Sequence, residues 1–143
     1  MPAKSPSPRS SAAVEDYLER ILELMNSKGY ARVVDIAAAL KISQASVTNM
    51  VQRLDADGLL KYEKYRGLIL TTAGKTLARK IAQRHKLLTD FLTLLGLDEK
   101  VIYRDVEGME HHISAPTLRA IEALTEQLRR RPALRARLEL TTA

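Results

Sequence analysis

Residues 35–54 read DIAAALKISQASVTNMVQRL, and this stretch decides the fold of the first half of the chain. Its first part, residues 35–40, predicts a short Ala-rich helix that breaks at Lys41. Ser43 then offers a good N-cap for a second helix, because its hydroxyl can accept a backbone hydrogen bond. Two helices joined by so short a turn predict a helix-turn-helix.

The second helix of this pair separates apolar from polar side chains. Its packing face consists of Val47, Met50, Val51 and Leu54. Its outward face therefore consists of Gln44, Ala45, Thr48, Asn49, Gln52 and Arg53. This face suits base edges, because Gln and Asn pair with adenine while Ala and Thr methyl groups contact thymine. We predict DNA binding by these six residues; a merely polar surface helix is the alternative.

Two short strands follow, at residues 59–64 and 68–71. A hairpin directly after a helix-turn-helix predicts a winged helix. Lys64 and Arg66 lie in and beside its loop, where cations suit phosphate groups outside the groove that the helix reads. We predict that both bind the DNA backbone.

A second informative stretch, residues 105–112, reads DVEGMEHH. As a helix it would place Glu107, Glu110 and His111 at i, i+3 and i+4, on one side of one turn. Such a face repels itself unless a cation lies against it. We therefore predict a divalent metal there.

Two other helices carry matching side chains. In the first helix, Asp16 and Glu19 lie at i, i+3, although two acids there also suit the helix dipole. In a long helix beginning at Ala73, for which Thr72 is the predicted cap, His85 interrupts an apolar stripe. A lone His on such a stripe is commonly a satisfied core residue. The acidic partners favour a shared metal site instead.

The last part of the chain predicts further helices. Asp98 caps one helix, Ser114 and Pro116 begin the next, and residues 133–140 could form a last short one. A winged helix can fold around its own core, so these helices predict a two-fold homodimer interface. Arg129, Arg130 and Arg131 are interpreted as a solvated helix end.

Composition narrows the class of partner. The 143 residues carry a net charge of +6 and a pI near 9.7, which favours a polyanionic partner. Because Cys is absent, any metal must be held by oxygen and imidazole nitrogen. No signal peptide or membrane span is visible, so we expect a cytoplasmic protein without a membrane partner.

The predicted fold is mainly α with a small β-hairpin: an N-terminal winged helix-turn-helix and a C-terminal helical dimerisation domain. The Pro- and Ser-rich residues 1–12 predict a disordered tail. The winged helix spans residues 13–72, a linker helix 73–95, and the dimerisation and metal-binding domain 96–143.

From about residue 14 to residue 128 the chain resembles the manganese-responsive branch of the diphtheria-toxin-repressor family of metal-dependent transcriptional repressors. The likeness rests on EDYLE at 15–19, GYARV at 29–33, YEKYRGL at 62–68, Arg84-His85 and DVEGMEHH at 105–112. By that resemblance the metal ligands are Asp16, Glu19, His85, Glu107, Glu110 and His111, whereas His112 is not a ligand. Iron-responsive members have Met and Cys where this chain has Asp16 and Glu107, and usually add an SH3-like domain, which we do not expect here.

The resemblance implies a manganese-responsive regulator that represses manganese-uptake genes. Four carboxylates match the charge of two divalent ions, so we expect two Mn²⁺ per subunit, and other divalent metals are also expected to bind. Metal would order the homodimer for palindromic operator DNA. The alternatives are a metal-independent or iron-responsive winged-helix regulator. A di-metal hydrolase is disfavoured because HExxH is absent and no substrate pocket can be named, so we expect no enzyme and no organic substrate.

Overall fold

The computed structural model describes residues 12–63 and 67–142, with side chains through residue 139. The helices are α1 (Ala12–Lys28), α2 (Val33–Leu40), α3 (Gln44–Ala56), α4 (Thr72–Leu94), α5 (Glu99–Met109), α6 (Ala115–Arg129) and α7 (Pro132–Thr142). The strands are β1 (Leu60–Glu63) and β2 (Gly67–Leu70). The predicted class, mainly α with one small hairpin, is confirmed. Residues 1–11, which carry most of the predicted disordered tail, lie outside the described residues.

The chain divides into two compact units, Met1–Ile81 and Ala82–Ala143. Helix α4 supplies residues to both. Each unit has its own hydrophobic core. Within the described ranges, no helix is both long and apolar enough to cross a membrane.

The helix-turn-helix of unit 1 is formed by α2 and α3. Lys41 ends α2 in the left-handed conformation, with φ 56°, and its N–H donates to the carbonyl of Ala37. Ser43 has extended backbone and accepts a hydrogen bond from the Ser46 N–H at 3.1 Å, so it is the N-cap of α3 as predicted. The sharp turn after α2 and the N-cap directly before α3 together set the orientation of the two helices.

The hairpin follows in the predicted place. Strands β1 and β2 are antiparallel, with Leu60 opposite Leu70. The Leu68 N–H also donates to the carbonyl of Ala31 at 2.8 Å, which joins the hairpin to the segment before α2. A Cβ on Gly67 would lie 2.6 Å from that carbonyl oxygen, so this strand needs glycine at its start.

Apolar side chains from every element of unit 1 form its core. Fully buried members include Leu18, Ile21, Ile36, Val47, Leu54, Leu60 and Leu68. The predicted packing face of α3 is confirmed, since Met50 and Val51 also contact this core. Apolar burial at these positions is the main stabilising contribution to the winged helix.

The start of α4 differs from the prediction. Thr71, not Thr72, caps the helix: its hydroxyl accepts from the Gly74 N–H at 3.1 Å and donates to the Gly58 carbonyl at 2.7 Å. The hydroxyl thus also joins the helix to the turn after α3. Gly74 is buried against Leu59, where a Cβ would lie 1.9 Å from the carbonyl oxygen. These contacts are tertiary, which is why local sequence did not distinguish between two adjacent threonines.

Unit 2 contains the second part of α4 together with α5, α6 and α7. Its core is formed by Leu88, Leu92, Ile102 and Val106, with Phe91, Leu95, Leu97, Met109, Ile113, Leu118 and Ile121 packed against it. Asp98 caps α5 by accepting from the Lys100 N–H, and Ser114 caps α6 by accepting from the Thr117 N–H. Both predicted caps are confirmed. Asp90 of α4 accepts from Arg129 of α6 at 3.0 Å, which ties two helices of this unit.

Candidate metal centre and nucleic-acid face

His85 and Glu110 lie in direct contact within unit 2. Nδ1 of His85 is 2.7 Å from Oε2 of Glu110, although the residues are 25 positions apart. His85 belongs to α4, and Glu110 is the C-cap of α5. The core formed by Leu88 of α4 and Val106 of α5 belongs to the same unit. The packing that folds unit 2 therefore also positions this pair.

His111 approaches the other oxygen of the same carboxylate. Its Nε2 is 3.7 Å from Oε1 of Glu110, which is too long for a hydrogen bond. Its side chain is 10% exposed, against 31% for His85 and 0% for Glu110. One fully buried carboxylate thus has an imidazole near each of its oxygens.

The second oxygen of Glu110 needs a further partner. Among the residues that the structure describes, Oε1 is buried and has no hydrogen-bond partner. A buried carboxylate oxygen without a partner is strongly unfavourable. A cation held by this oxygen and by Nε2 of His111 would remove that penalty. Carboxylate oxygen and imidazole nitrogen without sulfur suit divalent manganese, iron or zinc, so the residues present fit such a metal.

Asp16 and Glu19 are the two predicted ligands in unit 1. They lie three positions apart on α1, and both are half-buried. Val14, Leu18 and Ile21 of the same helix are buried in the core of unit 1. The acidic pair therefore lies on a helix whose apolar face is fixed in the core of unit 1.

Glu107 is the sixth predicted ligand. It lies on α5 one turn before Glu110, and its side chain is exposed. Within unit 2 the close cluster is thus formed by His85, Glu110 and His111, and Glu107 is at the surface.

The end of α5 differs from the predicted helix over residues 105–112. The helix ends at Met109, and His111 and His112 lie in a turn. The His112 N–H donates to Met109, three residues back, at 3.1 Å. Ser114, two residues after His112, has extended backbone with ψ 157° and caps α6, so α5 cannot continue through it. His111 therefore extends from a turn and not from the helical face on which the prediction placed it.

The special position of Glu110 had a signal in the sequence that the prediction did not use. Val106, Met109 and Ile113 form an apolar stripe, and Glu110 is four residues after the first and three before the last. This spacing places its carboxylate on the buried face of α5. The prediction had instead placed Glu110 together with Glu107 and His111 on one side of the same turn.

The predicted DNA-reading face of α3 is exposed in full. Its six residues, Gln44, Ala45, Thr48, Asn49, Gln52 and Arg53, all have exposed side chains. The Thr48 hydroxyl donates to the Gln44 carbonyl at 3.0 Å, so its proton is used in a hydrogen bond within α3. The two predicted hairpin contacts, Lys64 and Arg66, lie outside the described residues.

Two family models match consecutive parts of the chain. Residues 10–68 match the N-terminal DNA-binding domain of iron-dependent repressors. Residues 71–137 match the metal-binding and dimerisation domain of iron-dependent repressors. The first match covers the helix-turn-helix and the start of the hairpin's second strand, and the second covers His85, Glu107, Glu110 and His111.

Curated relatives and a solved structure agree with these matches. The chain is 50% identical over 127 residues to the HTH-type transcriptional regulator MntR of Lysinibacillus sphaericus (strain C3-41), covering 89% of this chain and 91% of the relative. It is 54% identical over 105 residues to MntR of Bacillus subtilis (strain 168), covering 73% and 74%. The structure of the manganese regulator SloR superimposes with a TM-score of 0.71 at 28% identity over 79% of this chain. The chain spans about half of that structure, 53% of its length.

Proposed function

This chain belongs to the family of iron-dependent repressors, and we propose that it represses transcription in response to manganese. The observation that carries the metal response is the buried carboxylate of Glu110, which lies between two imidazoles. The relatives at 50% and 54% identity are named MntR regulators, which favours manganese over iron. The partners we propose are operator DNA and a second copy of the chain, in the cytoplasm.

We propose six metal ligands: Asp16, Glu19, His85, Glu107, Glu110 and His111. His85, Glu110 and His111 are supported by their contacts, and Glu110 also by its buried oxygen. Asp16 and Glu19 are supported by their spacing on α1 and by their partial burial. Glu107 is supported by its position one turn before Glu110 on α5.

The charges of these residues favour two ions per subunit. Four carboxylates carry about four negative charges, which two divalent ions match and one does not. Two imidazoles and four carboxylates are too few for two octahedra unless a carboxylate bridges or water completes them. We therefore propose a binuclear manganese site.

Each ligand group has a separate task in the response. A divalent metal bound by these residues would supply positive charge that balances their carboxylates. Asp16 and Glu19 contribute the ligands of the DNA-binding domain, while His85, Glu110 and His111 contribute those of the dimerisation domain. We expect metal binding by ligands of both domains to restrict the distance between the two α3 helices of a homodimer. A palindromic operator requires these two helices about 34 Å apart. Ordering the dimer in advance lowers the free energy required to bind DNA.

Calorimetry and DNA binding test this function together. Manganese is titrated into apo wild type and into Glu107→Ala, with Glu122→Ala, an exposed acid of α6, as matched control. We expect two ions per subunit in wild type and control, and fewer in Glu107→Ala. A gel shift on DNA upstream of a manganese transporter gene should then require manganese, and should be lost in Glu107→Ala.

The outcomes separate the alternatives. No manganese binding, or DNA binding indifferent to metal, would leave a winged-helix regulator with another signal. Equal activation by iron would identify an iron-responsive regulator. The family identifies a transcriptional regulator; that the chain catalyses no reaction stays a prediction.

A further inference from the structure

Tyr30 and Arg32 form a stacked pair in a motif that the metal site does not use. The Arg32 guanidinium carbon lies 4.8 Å from the centroid of the Tyr30 ring. Arg32 is exposed, and Tyr30 is 37% exposed. A ring at this distance attracts a cation by its quadrupole and limits the directions in which the guanidinium can point. The pair is thus an oriented cation on the surface of unit 1.

Arg32 lies where two elements of the winged helix meet. It is the N-cap of α2, the first helix of the helix-turn-helix. Its Cγ is 3.4 Å from the place that a Cβ on Gly67 would occupy, and Gly67 begins β2 of the hairpin. The neighbouring Ala31 carbonyl accepts the Leu68 N–H. The side chain of Arg32 therefore starts beside the first residue of β2.

The fold gains little from the charge of Arg32. As N-cap it makes no side-chain hydrogen bond to α2. A cation at a helix N-terminus is opposed by the helix dipole. The carboxylate in the first turn of α2, Asp35, lies 3.6 Å from Nζ of Lys28. A Ser or Asp at this position would cap the helix better, so the cation suggests another task.

We propose that Arg32 donates to a phosphate of the DNA backbone and that Tyr30 is the positioning residue that orients it. The first helix of a helix-turn-helix crosses the DNA backbone, and arginine and helix N-termini are frequent phosphate donors. This contact gives affinity and register without reading sequence. The proposal rests on the DNA binding proposed above and adds two residues to those of α3.

The test uses the full-length chain with saturating manganese. Affinity for a labelled duplex of the transporter upstream region and for a mixed-sequence duplex is measured by fluorescence anisotropy at several salt concentrations. The variants are Arg32→Ala, Arg32→Gln, Tyr30→Ala, Tyr30→Phe and the double variant Arg32→Ala/Tyr30→Ala. Lys100→Ala, which removes an exposed cation from α5 of unit 2, is the charge-matched control. Thermal melts of every variant report stability separately.

We expect Arg32→Ala and Arg32→Gln to weaken both duplexes by a similar factor, about tenfold for a dimer with two such contacts, and to lower the salt slope by about 0.9 per subunit. Tyr30→Ala should weaken binding by about two- to fivefold, the range of an exposed cation–π contact, while Tyr30→Phe keeps the ring and the affinity. In the Arg32→Ala background, Tyr30→Ala should have no further effect on affinity. Lys100→Ala should leave affinity and salt slope unchanged.

Three results would overturn the proposal or its premise. An unchanged salt slope in Arg32→Ala and Arg32→Gln, while wild type binds DNA, would show that Arg32 makes no phosphate contact. An equal effect of Tyr30→Ala with and without Arg32 would show that the ring does not act through the arginine. Failure of the wild type to bind either duplex would instead contradict the proposed function.

Discussion

The imidazole of His85 and the carboxylate of Glu110 lie 2.7 Å apart, and the carboxylate is completely buried. A buried anion is tolerated only when its charge is balanced. Because the second oxygen has no hydrogen-bond partner among the described residues, the pair by itself balances the site incompletely. The carboxylate is therefore the group whose alteration should report metal binding most directly.

We predict that Glu110→Gln loses the stabilisation that manganese gives the wild type. Gln keeps the shape and can still contact His85, but it has no charge to offer a metal. Wild type at a hundredfold excess over Kd should gain about 2.7 kcal/mol of unfolding free energy, and the variant much less. Thermal melts with and without manganese measure the difference. Glu122→Gln is the control, and a manganese shift equal to wild type in Glu110→Gln would exclude Glu110 as a ligand.

We predict that Asn49→Ala weakens operator binding selectively. Asn49 is exposed on α3, and a bidentate contact to adenine contributes about 1–3 kcal/mol of discrimination. Affinity for mixed-sequence DNA should hardly change, because that affinity comes from phosphate contacts. Competition binding with both duplexes measures the ratio. Asn26→Ala, an exposed Asn on α1, is the matched control, and equal loss on both duplexes would show that α3 does not read bases through Asn49.

We predict that Lys41→Gly stabilises the protein. Lys41 has φ 56°, a left-handed conformation that is unfavourable for residues with a Cβ. Glycine removes that strain, and a gain of about 0.5–1 kcal/mol in unfolding free energy is expected after its greater unfolded-state entropy is allowed for. Urea denaturation measures it. Lys41→Ala keeps the strain and should give no gain; a gain from Ala as large as that from Gly would point to charge and not backbone geometry.

We predict that Gly74→Ala is strongly destabilising. A Cβ at this position would lie 1.9 Å from the Leu59 carbonyl oxygen, so α4 must move away from the segment that leads into β1. Overpacking of this kind costs about 1–3 kcal/mol or more. Gly108→Ala in α5 is the comparison, because a Cβ there meets nothing within 4 Å and alanine favours helix. Similar melting temperatures for the two variants would contradict the close packing at Gly74.

The winged helix could be predicted because its signals are local. Ser43 can cap the helix that follows it whatever the rest of the fold is. The packing face of α3 follows from the spacing of Val47, Met50, Val51 and Leu54, even when the residues that pack against it are not known. The outward face of α3 followed from that spacing alone. The hairpin and the caps at Asp98 and Ser114 were predicted for the same reason.

The remaining features depend on contacts between distant residues. Thr71 is the cap of α4 because its hydroxyl also reaches Gly58, thirteen positions earlier. The stack of Arg32 on Tyr30 depends on the path of the segment before α2. At the candidate metal centre, the residue types and their spacing predicted a metal site. It could not show that Glu110 is buried and Glu107 exposed, since that depends on how α5 packs in unit 2.

Because Glu110 is buried, selection for stability and selection for a metal response favour different residues at this position. A leucine of similar volume would fill the same space and remove the buried charge together with its desolvation cost. If Glu110 is a ligand as proposed, that variant would lose the metal response. Selection for stability alone would therefore favour replacement of the carboxylate. A lineage that keeps Glu110 is thus under selection for the metal response and not only for the fold. A leucine at this position in a descendant sequence would mark a regulator that has lost its signal while keeping its architecture.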